Sequence, residues 1–587
     1  MAQNSSAQPW EGDILPPAPA WKGKSERLVV RPNDPWITPS ERTGLTGTPS
    51  YAETVAFLQR MDEASPLIRM QSFGRSAQGR DLLAVFVSKD GERFDPAKPV
   101  LLFQAGIHAG EIDGKDAGLM LLRDIAFKGK DRLLDRVNLV FVPMFNPDGH
   151  ERTGPYSRPN QRGPVSQGWR TTAQNLNLNR DYAKADSPEM RAMIGLIRAV
   201  KPDLYLDLHV TDGIDYQYDI TYGYAAYDGR YARSPEIGKW LEGAYDRTVT
   251  AGLKAAGHIP GPLIFAVDDR DVSKGLAATA STPRFSTGYG DAVGLATVLV
   301  ENHSLKPYRQ RVLGTYVLIE SSIRALTEHG AELRAATAAD QARRDAVTVS
   351  WRAATTPEGT RAFLPIGYSM YASAASGRDE VRWDGKPGKP IQLPLYRSTP
   401  GAVVERPAAY WVPATKPEVI ALLKLHGVEM EIIDQPRTVG VEMIRLKDAK
   451  PGAFVIEGRV RVAAAVASRE RRQETYPAGS ARIPTDQPLG TFAMLLLEPE
   501  SDETLIGWGF FNEITQRTEY IEGYAIAPMA DRMLAADPAL KAEFEAKLAA
   551  DPAFAADPDA RLSWFYERTP FFDSRWMLYP VGREVRN

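Results

Sequence analysis

The stretch LLFQAGIHAGEIDGKDAGLMLL, residues 101–122, changes grammar in its middle. It opens as a continuous apolar run of strand length, passes through Gly106 and Gly110, and resumes with apolar residues at helical spacing. A strand that is apolar on both faces and feeds a helix is the repeating unit of an α/β sheet. At the joint stand His108 and Glu111, three residues apart.

The same alternation continues on both sides of that stretch. SYAETVAFLQRMDEA, with Ser50 as N-cap, reads as a helix, as does SPEMRAMIGLIRAV; DLLAVFVS, RVNLVFVPMF, KPDLYLDLHV and ATVLVENHS read as strands. This predicts an α/β domain around a mixed, mostly parallel sheet over residues 49–330, closing after the helix RVLGTYVLIESSIRALTEHG. Residues 1–48, rich in Pro and Trp without periodicity, read as an irregular arm. Beyond Gly330, VTVSWRA, IQLPLYR, VEMEIID, VGVEMIRL and GRVRVAAAV are short β-branched runs broken by Gly, Pro and Asp. They predict a β-rich module over 331–470, interrupted by one helix, PEVIALLKLHG. An α+β segment over 471–587 follows, with Ala-rich helices broken at Asp-Pro steps. Within it GWGFFNE reads as exposed, and the aromatic tail WFYERTPFFDSRWMLYP as docked back on the fold in preference to holding another chain.

Composition narrows the chemistry. With 71 Lys and Arg against 74 Asp and Glu, the net charge of −3 gives no long-range attraction for nucleic acid or an anionic membrane. No run of about eighteen apolar residues suggests a membrane span. The opening MAQNSSAQPWEGD lacks the basic start and apolar core of an export signal. A periplasmic or secreted protein whose leader has been removed is expected, with the cytoplasm as the alternative. The absence of cysteine excludes disulfides, thiolate metal sites and cysteine nucleophiles. A metal would have to be held by histidines and carboxylates.

In sheets of this kind ligands bind at the carboxyl ends of the strands. His108 follows VLLFQAGI, His209 ends DLYLDL, Glu111 lies one loop step past His108, and Glu301 ends TVLV. Catalytic zinc takes about three protein ligands, commonly two His and one Glu, and works beside a free carboxylate. Each residue alone is weak evidence, because a strand-end His is more often a hydrogen-bonded structural residue. Four such residues at one sheet edge are another matter.

GIHAGE at 106–111, NPDG at 146–149, NLNLNRDY at 175–182, DLHV at 207–210 and VLVEN at 298–302 together resemble, in that order, the zinc metallocarboxypeptidases of the carboxypeptidase A type. The resemblance covers roughly residues 49–330. It implies an eight-stranded mixed sheet flanked by helices, one Zn2+ per chain, and hydrolysis of the C-terminal bond of a peptide with a free carboxylate. By matched motif, His108, Glu111 and His209 are implied as metal ligands and Glu301 as general base. Asn179 and Arg180 are implied as the grip on the substrate carboxylate, a task suited to the planar guanidinium fork. Arg170 is implied as the oxyanion partner, although Arg158 and Arg162 lie in the same loop, and Arg80 as a substrate-facing arginine.

The chain also departs from the pattern. Asn177 stands where the family commonly has an Asp bonded to a zinc-bound histidine; Asp181 and Asp207 are candidate substitutes, and Asp207 shares a strand face with His209. No tyrosine is singled out as the cover over bound substrate among Tyr216, Tyr218, Tyr222 and Tyr289. His303 shares a strand face with Glu301 and reads as a buried structural residue. For the terminal side chain, Arg284 would select an acid and Phe285 an aromatic. Two other functions remain open: a zinc amidase or deacylase acting on a small acylated amino acid or cell-wall peptide, and a non-catalytic binding protein with a vestigial zinc site.

Overall fold

A computed structural model of the chain describes residues 14–585 except 92 and 226–229. Its centre is an eight-stranded sheet of β1 (Ile68–Arg75), β2 (Asp81–Val87), β3 (Val100–Ala105), β4 (Asn138–Val142), β5 (Leu204–Thr211), β6 (Ile220–Gly223), β7 (Pro260–Pro262) and a last strand, Ala296–His303. A short strand, β8 (Leu276–Ala278), lies outside this sheet, so Ala296–His303 is β9. The order is β1-β2-β4-β3-β5-β9-β6-β7. The β4-β3-β5-β9 block is parallel throughout, while β1/β2, β2/β4 and β6/β9 pair antiparallel. This is the mixed, helix-flanked sheet expected.

Alternation along the strands divides two cores. Leu101, Phe103 and Ala105 of β3 face the helices Asp113–Phe127 and Tyr308–Gln341. Val100 and Leu102 face the helix Pro188–Val200, which Ser187 caps by accepting the Met190 N–H. That second core also takes in the helices Pro417–His426 and Gly490–Leu497 from beyond residue 330. Phe492, Leu495, Leu496 and Leu497 are fully buried there, each contributing about 1.5–3 kcal/mol of apolar transfer. The two halves of the chain therefore share a core.

Two boundaries and one exposure differ from expectation. The helix expected to stop at Gly330 runs on to Gln341. Gly330 serves close approach instead, since a Cβ there would lie 2.9 Å from Pro99 Cγ. The division at 470/471 falls inside the strand Arg459–Tyr476. That strand belongs to a six-stranded sheet which also includes Ala409–Val412, Ala481–Pro484 and Leu578–Glu584, so segments either side of residue 470 build one element. GWGFFNE is not exposed as a whole, because Trp508, Phe510 and Phe511 are buried in the shared core. In the aromatic tail, Trp564, Phe565 and Tyr566 pack on Phe544 and Phe554.

The described part of the N-terminal arm is pinned to the sheet domain. Glu41 accepts a hydrogen bond from the Arg123 guanidinium at 2.9 Å, with both side chains fully buried.

Candidate metal centre and active site

The chain leaves β3 through Gly106, whose φ of 69° suits a residue without Cβ. A turn follows in which the Glu111 N–H donates to His108 O at 2.9 Å, bringing the two side chains onto one side. Gly110 is required for the loop opposite: a Cβ there would come within 2.6 Å of both Arg158 Cγ and Gly168 O. β5 delivers His209 in register with Glu301 of β9, and in-register neighbours project from the same sheet face.

The ligand atoms of His108, Glu111 and His209 all lie within 4.8 Å of one another, and the three residues are buried. His108 Nδ1 is 3.0 Å from Glu111 Oε1, and His209 Nδ1 is 2.8 Å from Glu111 Oε2. The other ring nitrogens are committed: His108 Nε2–H donates to Asn177 Oδ1 at 2.9 Å, and His209 Nε2–H to Asp207 Oδ1 at 2.9 Å. Asn177 thus holds one ring as a neutral acceptor, while Asp207 holds the second. Asp181 does not reach the site; it binds Lys184 and the helix start at Ser187.

The donor set fits a divalent cation. Burial pushes His108 down to about 4, which keeps the ring neutral. With its one proton on Nε2 for Asn177, its Nδ1 lone pair faces a carboxylate oxygen. Two acceptors in contact are repulsive, and a cation between them removes the repulsion. Zinc at ligand distances of about 2.1 Å spaces tetrahedral donors by roughly 3.4 Å, in keeping with this cluster. Burial pushes the Glu111 carboxyl up, but His108 and the Arg158 guanidinium outweigh it and hold it well below the usual range. Burial pushes His209 down, yet Asp207 and Glu111 hold it well above the ordinary imidazole value.

Glu301 stands beside this cluster and outside it. Its Oε2 is buried with no hydrogen-bond partner, and burial pushes the carboxyl up to about 8 against the pull of His209, with Glu111 and Asp207 adding to the rise. Glu301, His108, Arg170, Asn179 and Arg180 all line one cavity of about 340 Å3. The Arg180 guanidinium packs over the Phe285 ring, 4.4 Å from its centroid, and donates to Asn179 O at 2.7 Å. Asn179 Oδ1 is buried without a partner.

The nearby arginines separate by access. Arg158 Nη2 lies 2.8 Å from Glu111 Oε1 and Arg170 Nη1 lies 3.3 Å from it; the Arg158 side chain is 9% exposed and the Arg170 side chain 39%. Only Arg170 of the two lines the cavity. Arg162 is turned to Leu305 O. Two expected substrate contacts are not brought to the cavity. Arg80 is held by Asp148 at 2.7 Å and by Gln78. Arg284 is held by Glu503 at 2.8 Å and packs over Trp508. Phe285 lines the cavity, with Leu263, Phe265 and Leu299 supplying more apolar wall. Tyr216, Tyr218, Tyr222 and Tyr289 are core residues. Among the described residues the tyrosine at the cavity is Tyr224, which directly follows β6 and was not among the candidates. His303 is buried, with Nε2 2.7 Å from Asp215 Oδ1.

Residues 54–251 match the family model described as zinc carboxypeptidase. Carboxypeptidase Z of Gallus gallus is 31% identical over 153 residues, 24% of this chain, and the chain spans only 23% of that relative's length. Carboxypeptidase 2 of Trichophyton rubrum is 23% identical over 490 residues, covering 79% of this chain and 84% of the relative. A solved metallo-carboxypeptidase from Pseudomonas aeruginosa aligns with a TM-score of 0.36 at 19% identity, over 49% of this chain and 71% of that one. Among the described residues no helix is long and apolar enough to cross a membrane. The similarity to zinc carboxypeptidases is thus carried by residues 54–251, the part of the chain that holds His108, Glu111 and His209.

Proposed function

We propose that the protein is a zinc-dependent metallocarboxypeptidase that removes C-terminal amino acids from peptides, acting in the periplasm or outside the cell. One observation carries this reading: Glu301, with an unpartnered carboxylate oxygen, lines one cavity together with His108 of the three-residue cluster and with the Asn179–Arg180 pair. His108, Glu111 and His209 would hold one zinc ion, which supplies Lewis-acid polarisation of the scissile carbonyl and acidifies a water molecule.

The chain's own residues do the rest. Arg180 and the Asn179 amide grip the terminal carboxylate, so that the scissile bond is presented at a fixed distance from Glu301. Glu301 takes the proton of the attacking water and passes it to the leaving nitrogen; a carboxyl raised by burial is suited to both transfers. Arg170, the more exposed guanidinium beside Glu111, stabilises the oxyanion that forms on the carbonyl. The apolar wall of Leu263, Phe265, Phe285 and Leu299 favours an apolar or aromatic terminal side chain, and the engagement of Arg284 by Glu503 removes the basis for acidic selection.

Free-ended and C-terminally amidated versions of one peptide, assayed with and without chelator, test the reading. The free-ended peptide should be cleaved and the amidated one spared. Equal cleavage of both would favour the zinc amidase.

A further inference from the structure

Residues 54–251 do not build the catalytic edge alone. The long hairpin of strands Arg437–Ile456 and Arg459–Tyr476 reaches back to it. Its turn is two residues, Glu457 and Gly458, with φ of 51° and 79°. Positive φ at both positions marks a type I′ turn, and a non-glycine residue at the first of them is strained.

Three consecutive residues of this tip touch the segment that carries Asn177, Asn179 and Arg180. Glu457 Oε2 accepts the backbone N–H of Asn177 at 3.2 Å. Gly458 lies against Leu176, whose Cδ2 would stand 2.7 Å from a Cβ at that position. Arg459 donates to both carboxylate oxygens of Asp186, at 2.8 and 2.6 Å.

Asn177 is the link between tip and site. Its Oδ1 accepts from His108 Nε2 at 2.9 Å and from the Asn179 N–H at 3.0 Å. One amide oxygen therefore orients a proposed metal ligand and a proposed carboxylate-binding residue together. A neutral amide steers an imidazole less strongly than a carboxylate does, so its position has to be fixed from elsewhere. A hydrogen bond from the Asn177 peptide to an ionised carboxylate is of the charge-assisted, stronger kind. Burial and the neighbouring Arg170 lower the Arg180 guanidinium from its ordinary value, and Glu457 opposes part of that fall.

We propose that the hairpin tip is part of the catalytic site's wall, with Glu457 as a positioning residue that fixes Asn177 and, through it, His108 and the Asn179–Arg180 pair. The inference rests on the function proposed above. Its test is zinc affinity by chelator competition, together with KM and kcat on a free-ended peptide, for the full-length protein and its Glu457→Ala and Glu457→Gln variants. Direct partners of metal-bound histidines are worth about 10–100-fold in metal affinity. One link further out, Glu457→Ala should weaken zinc binding about threefold to tenfold and raise KM more than it lowers kcat. Glu457→Gln, which retains an acceptor, should recover most of the zinc affinity.

Unchanged zinc affinity and KM in Glu457→Ala overturn the proposal, as does a lower melting temperature with both values intact. Full-length protein that binds zinc and leaves every peptide uncut would instead refute the proposed reaction, and the zinc comparison would still judge Glu457.

Discussion

Two buried histidine clusters lie on the same sheet domain, and their difference is instructive. Around β6, Ser25 Oγ lies 2.8 Å from His258 Nε2, and His258 Nδ1 lies 2.7 Å from Asp219 Oδ2. By residue type and spacing this is a serine, histidine and carboxylate in relay. Yet the three residues are only 2%, 3% and 2% exposed, and Asp219 also accepts from the Ile259 N–H and from Gln310 Nε2. Trp21 of the N-terminal arm packs 5.0 Å from the His258 ring centroid. Both ring nitrogens of His258 and both carboxylate oxygens of Asp219 are in use, and the cluster ties the arm down. At the β3/β5/β9 edge, by contrast, Glu301 keeps a carboxylate oxygen without a hydrogen-bond partner and itself lines a cavity. Chemistry follows open valence and access rather than residue type.

The contrast can be broken or sharpened by substitution. The largest effect is expected for Glu301→Gln, which should retain zinc while turnover falls by about 10²–10⁴-fold; normal turnover with normal zinc content would remove Glu301 from the reaction. Next, Asp207→Asn should weaken zinc binding by about 10–100-fold, while Asn177→Asp should strengthen it. Competition against a chelator reads both, and the opposite order would mean that these residues do not tune the metal. In the closed cluster, His258→Ala leaves Ser25 and Asp219 without their partner. It should lower unfolding free energy by about 1–3 kcal/mol in a urea titration and leave kcat/KM per folded molecule unchanged. A fall in kcat/KM with unaltered stability would make that cluster part of the chemistry. The smallest effect belongs to Arg284→Ala: the ranking of preferred terminal residues should stay as it is, and a lost preference for an acidic residue would return Arg284 to the substrate.

How far the sequence reveals this arrangement depends on the range of the determining contact. His108, Glu111, His209 and Glu301 are legible because each lies near or just past the carboxyl end of a strand, and the sheet then brings those ends together. Asp207 is legible from the two-residue period of a strand. The fate of Arg284 is not, because its partner Glu503 lies 219 positions away. Asn177 depends on Glu457, 280 positions away, for the same reason. Gly330 looks like a helix stop, whereas close contact with Pro99 explains it, and no local pattern records that contact. Tyr224 escapes notice because a tyrosine at a strand end carries no spacing signal.

The strand Leu578–Glu584 pairs directly with Arg437–Ile456 and separates it from Ala409–Val412 in the six-stranded sheet. The footing of the hairpin that touches Asn177 is consequently built from a segment far along the chain, so loosening that pairing would free the tip that meets Asn177.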